Sequence, residues 1–122
     1  MLIDSNIIIY AAKAEHADLC AFIAQHTPAV SAISYVEVLG YHRLTEQERQ
    51  HFEVFFATAP VLVLSQEILD QAVKLRQLKK ITLGDALIAA TALVHNLTLV
   101  TRNAKDFDWI SNLSVLNPFE KT

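Results

Sequence analysis

The sequence has few of the residues that cross-link a chain or let it turn sharply. Cys20 is the single cysteine, so no disulfide can form within the chain, which suits a reducing compartment. Two glycines are too few for a glycine-rich phosphate-binding loop, and three prolines leave little material for linkers. At 122 residues, of which 52% are hydrophobic, the chain is long enough for one packed core and too short for two. We therefore expect a single ordered domain covering residues 1–122.

Long apolar runs are also missing, since none approaches the roughly 20 residues that span a bilayer. The opening MLIDSN places an acid where a signal peptide needs a basic start followed by an apolar stretch. We therefore expect a cytoplasmic protein that makes no contact with a membrane.

The chain has no excess of positive charge, and its formal net charge is −3. Proteins that bind nucleic acid usually carry a basic surface, because contacts to phosphates release counterions. Two alternatives follow. Either the partner is not nucleic acid, or an acidic, metal-binding pocket masks local positive patches within the total charge.

The sequence indicates neither a zinc centre nor a serine nucleophile. The five histidines show no i, i+4 pair and no cysteine at zinc-site spacing, and no serine lies in a nucleophile-elbow motif. Phe107 and Trp109 are interpreted as packing residues.

Strand and helix patterns alternate along the chain. The predicted strands cover residues 1–4, 29–31, 61–64, 97–101 and 115–116. The predicted helices cover residues 7–12, 16–26, 33–44, 46–58, 66–80 and 86–94. A capping box from Thr45 to Glu48 opens the fourth helix, and the last helix is apolar almost all round, which indicates burial. This alternation is typical of an α/β domain whose mainly parallel sheet is covered by helices on both faces.

Acidic and amide side chains lie next to the predicted strand ends. They are Asp4 after the first strand, Glu37 beyond the second, Asp85 at the start of the buried helix, and Asn103 with Asp106 after the fourth strand. Because ligands bind beyond the carboxyl ends of parallel strands, we expect these side chains to converge at one edge of the sheet.

A cluster of this kind has a chemical consequence. Carboxylates held within a few ångströms of one another repel, and their pKa values rise unless a positive group lies among them. Mg²⁺ and Mn²⁺ take oxygen ligands and keep several waters. A cation bound there orients a water, lowers its pKa and neutralises charge on a phosphodiester. An acidic pocket in a protein without basic character therefore fits a metal nuclease.

Helix capping is the alternative explanation for each acid. Asp4 precedes a helix, and the pairs Ser34 with Glu37 and Thr82 with Asp85 match the capping-box spacing, as does Asn103 with Asp106. Capping is sufficient for each acid taken singly, whereas their common position at the sheet edge favours a site. Gly40, one turn from Glu37 inside a predicted helix, indicates close packing there.

Four segments resemble the motifs of the PIN-domain family, in order and over nearly the whole chain. MLIDSN, with Asp4, resembles the first motif, and SAISYVEVLG at residues 31–40, with Glu37, resembles the second. DALIAATAL at residues 85–93 and LVTRNAKDF at residues 99–107 resemble the third and fourth. The length of the chain is similar to that of the VapC-type ribonuclease toxins.

The resemblance implies a PIN-like α/β/α sandwich whose acidic pocket binds Mg²⁺ or Mn²⁺ and hydrolyses RNA. It assigns Asp4, Glu37 and Asp85 to the family's most consistent acids. Asp4 and Asp85 would be direct metal ligands, and Glu37 would complete the pocket or orient the attacking water.

The remaining motif residues have supporting roles in this interpretation. Asn6 and Thr101 would hold the carboxylates in place. Where some members have a fourth acid this chain has Asn103, with Asp106 one turn later. The number of metal ions, and which of these two residues completes their shell, therefore stays open.

A toxin of this type implies a cognate antitoxin. We hypothesise that a segment of the antitoxin lies across the acidic pocket, with a basic side chain pairing the carboxylates. The resemblance also implies a homodimer, for which the apolar N-terminal helices would supply the interface.

Two other functions fit parts of the pattern. A non-catalytic PIN-like module that binds RNA or protein would keep the fold without cleavage. A receiver-like signalling domain is also an α/β fold with an acidic Mg²⁺ pocket, but it needs an aspartate after its middle strand. The third predicted strand is followed by Ser65 instead, which argues against it.

Overall fold

A five-stranded sheet forms the centre of the computed structural model, which describes residues 1–120. The strands are β1 Leu2–Ile3, β2 Ala29–Ser31, β3 Val61–Leu62, β4 Leu99–Val100 and β5 Val115–Leu116. Their order is β3-β2-β1-β4-β5, and every neighbouring pair is parallel. The predicted α/β fold with a mainly parallel sheet is confirmed.

Six α-helices cover the two faces of the sheet in the described residues. They are α1 Ser5–Ala11, α2 Ala17–His26, α3 Ala32–Leu39, α4 Glu46–Thr58, α5 Gln66–Leu78 and α6 Leu83–Val94. Short 3₁₀ turns lie at Ala14–His16 and Ala104–Asp106. The predicted capping box opens α4, since Thr45 Oγ1 accepts the Glu48 N–H at 3.1 Å and Glu48 Oε1 accepts the Thr45 N–H at 3.0 Å.

The helix predicted for residues 33–44 ends five residues early, at Leu39. Gly40 caps it, with its N–H donating to the Val36 carbonyl oxygen at 2.8 Å. A Cβ at Gly40 would lie 2.4 Å from that same oxygen, so only glycine fits this tight helix end. Gly40 therefore lies at the end of α3. The close packing that we expected around Glu37 involves Gly84 instead.

The third strand lies at an edge of the sheet rather than in its middle. β3 pairs only with β2, and β1 occupies the centre between β2 and β4. The argument against a receiver-like domain assumed that β3 was the middle strand, and this assumption is wrong. The residue after the true middle strand is Asp4.

Side chains on alternate strand positions enter two separate cores. Leu2 and Leu99 join the core beneath α5 and α6, whereas Ile3 and Val100 join the core beneath α1, α2, α3 and α4. This alternation follows from the two-residue period of a strand. The helix predicted to be buried, α6, has seven buried residues from Ala86 to Ala92.

The strand order places one crevice where a ligand can bind. From β1 the chain moves outward to β2 and β3, and it then returns to the other side of β1 to form β4 and β5. Ligand sites of open parallel sheets form at such a reversal, beyond the carboxyl ends of the strands. Here that point lies between β1 and β4. No helix within residues 1–120 combines the length and apolar character needed to cross a membrane.

Candidate active site

Asp4 occupies the crevice between β1 and β4. It is 5% exposed, and its main-chain N–H donates to the Val100 carbonyl oxygen at 3.1 Å. Asp4 Oδ1 accepts the Ile7 N–H at 3.0 Å, which caps α1, and Asp4 Oδ2 accepts the hydroxyl of Thr101 at 2.5 Å. Capping therefore explains one oxygen of this carboxylate, while the other is fixed by a residue 97 positions away.

Glu37 approaches the crevice from the middle of α3. The Ser5 hydroxyl oxygen lies 2.6 Å from Glu37 Oε1 and 2.9 Å from Ser34 Oγ. Because a carboxylate only accepts hydrogen bonds, the Ser5 hydroxyl donates to Glu37. Ser5 Oγ in turn accepts a hydrogen bond from the Ser34 hydroxyl. Ser31, rather than Ser34, caps α3, so the capping-box interpretation of Ser34 with Glu37 is wrong.

Gly84 gives the Glu37 carboxylate its space. A Cβ at Gly84 would lie 2.5 Å from Glu37 Oε2 and 3.2 Å from its Cδ. The glycine stands in the first turn of α6, next to Asp85. A side chain at this position would displace Glu37, so Gly84 brings α3 and α6 together at the site.

Asp85 is partly buried at the start of α6. Thr82 caps the helix, and its Oγ1 accepts the Asp85 N–H at 3.2 Å. The predicted capping relation therefore exists, but the Asp85 carboxylate also lines a groove that it shares with Asp106.

Asn103 and Asp106 are separated by the turn that follows β4. The Asn103 N–H donates to Thr101 Oγ1 at 3.1 Å, and its side chain makes no capping hydrogen bond to the following turn. Asp106 is exposed and faces Asp85 closely enough for its charge to raise the pKa of that carboxyl. Of the two fourth-position candidates, Asp106 lines the same groove as Asp85 and Asn103 does not.

Asn6 contributes through its main chain. Its N–H donates to the Asp4 carboxylate, which lowers the pKa of Asp4, while its side chain is exposed.

The cluster is electrostatically strained in its ionised form. Burial raises the pKa of Asp4 above its usual value, and the nearby charge of Glu37 adds to this, whereas the hydrogen bonds from Thr101, Ile7 and Asn6 oppose it. Burial likewise raises the pKa of Asp85, helped by the charges of Asp4, Asp106 and Glu37 and opposed by the Thr82 hydrogen bond.

These oxygen donors match the preference of a hard divalent cation. No three carboxylate, imidazole or thiolate side chains of residues 1–120 stand close enough to hold one ion by themselves. Mg²⁺ is typically held by one or two carboxylates and completes its shell with waters, so two carboxylates beside further negative charge suit it.

Ser5, Ser34 and Gly84 were not predicted as site residues. The hydrogen bonds of Ser5 join α1 to α3 across 29 and 32 positions, which no local pattern reveals. Gly84 had a usable signal: it is one of two glycines in the chain, and it stands in a helical first turn beside an acid.

Comparisons with known proteins agree with this fold. The PIN domain family model matches residues 1–112. Ribonuclease VapC2 of Rickettsia felis is 30% identical over 129 aligned positions, which cover 95% of this chain and 96% of the relative. A toxin–antitoxin complex from Klebsiella pneumoniae contains a similar chain with a TM-score of 0.79 and 34% identity, covering 98% of each chain. VapBC2 of Rickettsia felis, solved with a DNA fragment from its promoter, gives a TM-score of 0.78 and 26% identity over 95% of this chain and 96% of that one.

Proposed function

The chain belongs to the PIN-domain family, and we propose that it is a divalent-metal-dependent endoribonuclease, the toxin of a toxin–antitoxin pair. The observation that carries the proposal is the buried Asp4 carboxylate in the crevice between β1 and β4, together with Asp85, whose pKa is raised by the charges of Asp4, Asp106 and Glu37. A buried acid without a nearby cation is unfavourable for the fold, so such an arrangement points to a positively charged ligand.

Each acid has a proposed role. Asp4 and Asp85, the two acids with raised pKa, hold the cation, which is Mg²⁺ or Mn²⁺. Asp106 adds charge at the Asp85 side and completes the acidic cluster. Thr101 fixes the orientation of Asp4, as hydrogen bonds to metal-binding carboxylates generally do.

Glu37 is the proposed base. A bound divalent cation neutralises charge on the phosphodiester and acidifies a water. The exposed Glu37 carboxylate, oriented by Ser5, takes a proton from the attacking water as the new oxygen–phosphorus bond forms. The bond from phosphorus to the leaving ribose oxygen then breaks, that oxygen takes a proton from solvent, and Glu37 returns its proton to solvent.

The partner of the chain is a cognate antitoxin. The Klebsiella pneumoniae relative was solved as a toxin–antitoxin complex, and VapBC2 provides a second example. Our hypothesis that an antitoxin segment covers the acidic pocket stays a proposal, as does the homodimer. An antitoxin that leaves RNA cleavage unaffected would contradict the first, and a monomer in analytical ultracentrifugation would contradict the second.

Cleavage of a mixed RNA pool tests the proposed function. We expect cutting with Mg²⁺ or Mn²⁺, none with chelator, and loss of cutting in both Asp4→Asn and Asp85→Asn. Asp70→Asn is the matched control, because Asp70 is an exposed acid on α5 outside the cluster. Cutting that survives both site variants would indicate a contaminating nuclease, and intact RNA in every condition would favour a non-catalytic binding module.

A further inference from the structure

A groove of about 560 Å³ opens beside Asp85 and Asp106. Four of the ten Lys and Arg residues of the chain line it: Arg76, Lys79, Lys80 and Lys105. Four cations against two carboxylates give this basic groove a formal charge of +2, although the whole chain carries −3. The groove is a positive patch that the total charge conceals.

The cations of the basic groove are available to a ligand. Within the described chain, the ion pairs are those of Arg49 with Glu46 and with Glu53, on α4. No lysine of the groove is therefore paired with a carboxylate in residues 1–120. The Lys79 ammonium instead lies 5.4 Å from the ring centroid of Trp109.

Trp109 presents an aromatic plane in this groove. Its Nε1–H donates to the Asp106 carbonyl oxygen at 2.9 Å, and part of the ring packs against the core beneath α5 and α6. The rest of the side chain lines the groove. The hydrogen bond and the core contact together orient the indole beside Asp106.

Stabilisation of a helix end accounts for only part of this arrangement. Arg76 and Lys79 lie at the carboxyl end of α5, where the helix dipole favours cations. Lys105 lies in the 3₁₀ turn after β4, away from the end of α5, and Trp109 lines the groove in addition to packing against the core. Cations beside an aromatic plane are the combination with which proteins bind single-stranded nucleic acid.

We propose that the basic groove binds single-stranded RNA beside the cleaved bond, with the Trp109 indole stacked on a nucleobase and Lys79 and Lys105 paired with phosphates. The proposal rests on the ribonuclease function proposed above and names where its substrate lies. A phosphate that draws the Lys79 ammonium away from the indole exposes the ring to the base. Because every base has a π-face, stacking of this kind tolerates many sequences.

Intrinsic fluorescence tests the stacking directly, because Trp109 is the sole tryptophan. A short single-stranded RNA of mixed sequence is titrated into the full chain with chelator present, so that no cleavage occurs. We expect saturable quenching of the indole emission, and little quenching by an RNA duplex or by polyglutamate. Equal quenching by polyglutamate would overturn base stacking and indicate an anion or acidic-peptide site.

Variants separate stacking from charge, with binding followed by anisotropy of a labelled RNA. Trp109→Leu is expected to weaken binding about 5- to 100-fold, and Trp109→Phe to restore most of it. Lys79→Gln and Lys105→Gln should each lower the salt dependence of log K by about one unit, whereas Lys74→Gln, on α5 outside the groove, should not. Circular-dichroism melts check that each variant is folded.

The outcomes distinguish this proposal from the function it rests on. Quenching and binding without cleavage in Mg²⁺ or Mn²⁺ would support RNA binding by the basic groove and contradict the proposed ribonuclease activity. Metal-dependent cleavage with unchanged indole emission, and with folded Trp109→Leu as active as wild type, would contradict RNA binding by the basic groove. The proposed ribonuclease activity would still stand.

Discussion

Asp4 serves the fold and the site with different oxygens. Oδ1 caps α1 through the Ile7 N–H, and Oδ2 is held by Thr101. A carboxylate has about four lone-pair positions, so these bonds leave room for a cation. The rotation of the carboxylate is thereby fixed before any ligand arrives, which reduces the ordering that binding requires.

Thr101→Val tests this positioning at the level of one residue. The substitution keeps the shape of a buried side chain but removes the hydroxyl that orients Asp4, so we expect metal affinity or cleavage to fall about 10- to 100-fold. Thr101→Ser, which keeps the hydroxyl, is the control and should retain most activity. Metal titrations followed by RNA cleavage measure both. Equal activity of Thr101→Val and wild type would contradict the role.

Among the secondary-structure elements, α6 carries Asp85 and also Gly84, whose missing side chain leaves space for the Glu37 carboxylate. The burial of α6 and its end at Val94 were predictable because residues 86–94 are almost entirely apolar, although the helix begins at Leu83, before the predicted start. Its approach to α3 was not, since that contact depends on Gly84 meeting Glu37 across 47 positions of sequence (84 minus 37). The same limit applied to α3, whose apolar pattern runs on past Gly40 although the helix stops there.

Gly84→Ala is expected to separate stability from activity. Alanine in a helix is favoured over glycine by roughly 0.5–1 kcal/mol, and the atom it meets is the end of an exposed, flexible side chain that can move away. We therefore expect a melting temperature equal to or above that of wild type, with cleavage lowered about tenfold because the Glu37 carboxylate is displaced.

Thermal melts and initial cleavage rates measure the two effects of Gly84→Ala. Glu37→Gln provides the comparison, since it removes the charge without moving α6. Unchanged cleavage in a folded Gly84→Ala variant would show that the position of Glu37 is unimportant.

For the molecule as a whole, the acids oppose folding when no cation is bound. Asp85 has a higher pKa in the folded chain than in the unfolded chain, so the fold binds its proton more tightly. Its contribution is therefore fully favourable below the unfolded pKa and is lost as pH rises through the folded pKa. The helix dipole works the other way, but it contributes only about 0.3–1 kcal/mol at exposed sites.

Asp85→Asn should accordingly raise the melting temperature of the metal-free protein at pH 7 by a few degrees. The advantage should shrink as the pH falls toward the ordinary aspartate pKa, where the wild-type carboxyl is protonated. Adding Mn²⁺ or Mg²⁺ should stabilise wild type and leave the variant nearly unchanged. Calorimetry with and without chelator measures this, with Asp70→Asn as the control. A metal-free variant less stable than wild type at pH 7 would contradict the argument.

For the whole molecule, the parallel sheet and the positions of the acids could be predicted from the sequence. Alternating strand and helix patterns predicted a parallel sheet, the end of its first strand located Asp4, and the start of the buried helix located Asp85. Strand order was not readable, because β3 is short and partly exposed yet has the same β-branched pattern as an inner strand. The basic groove was hidden for a similar reason: Arg76 and Lys105 lie 29 positions apart (105 minus 76), and net charge averages over the chain.

The hydrogen bond between Asp4 and Thr101 also determines when the candidate site can assemble during synthesis of the chain. Its two residues lie 97 positions apart, and β1 lies between two strands, of which β4 is made long after β1. While β4 is still inside the ribosome, Asp4 has neither its hydroxyl partner nor the Val100 carbonyl that fixes its main chain. A growing chain therefore carries Asp4 long before the partners that position it, and the candidate site cannot assemble until β4 has left the ribosome.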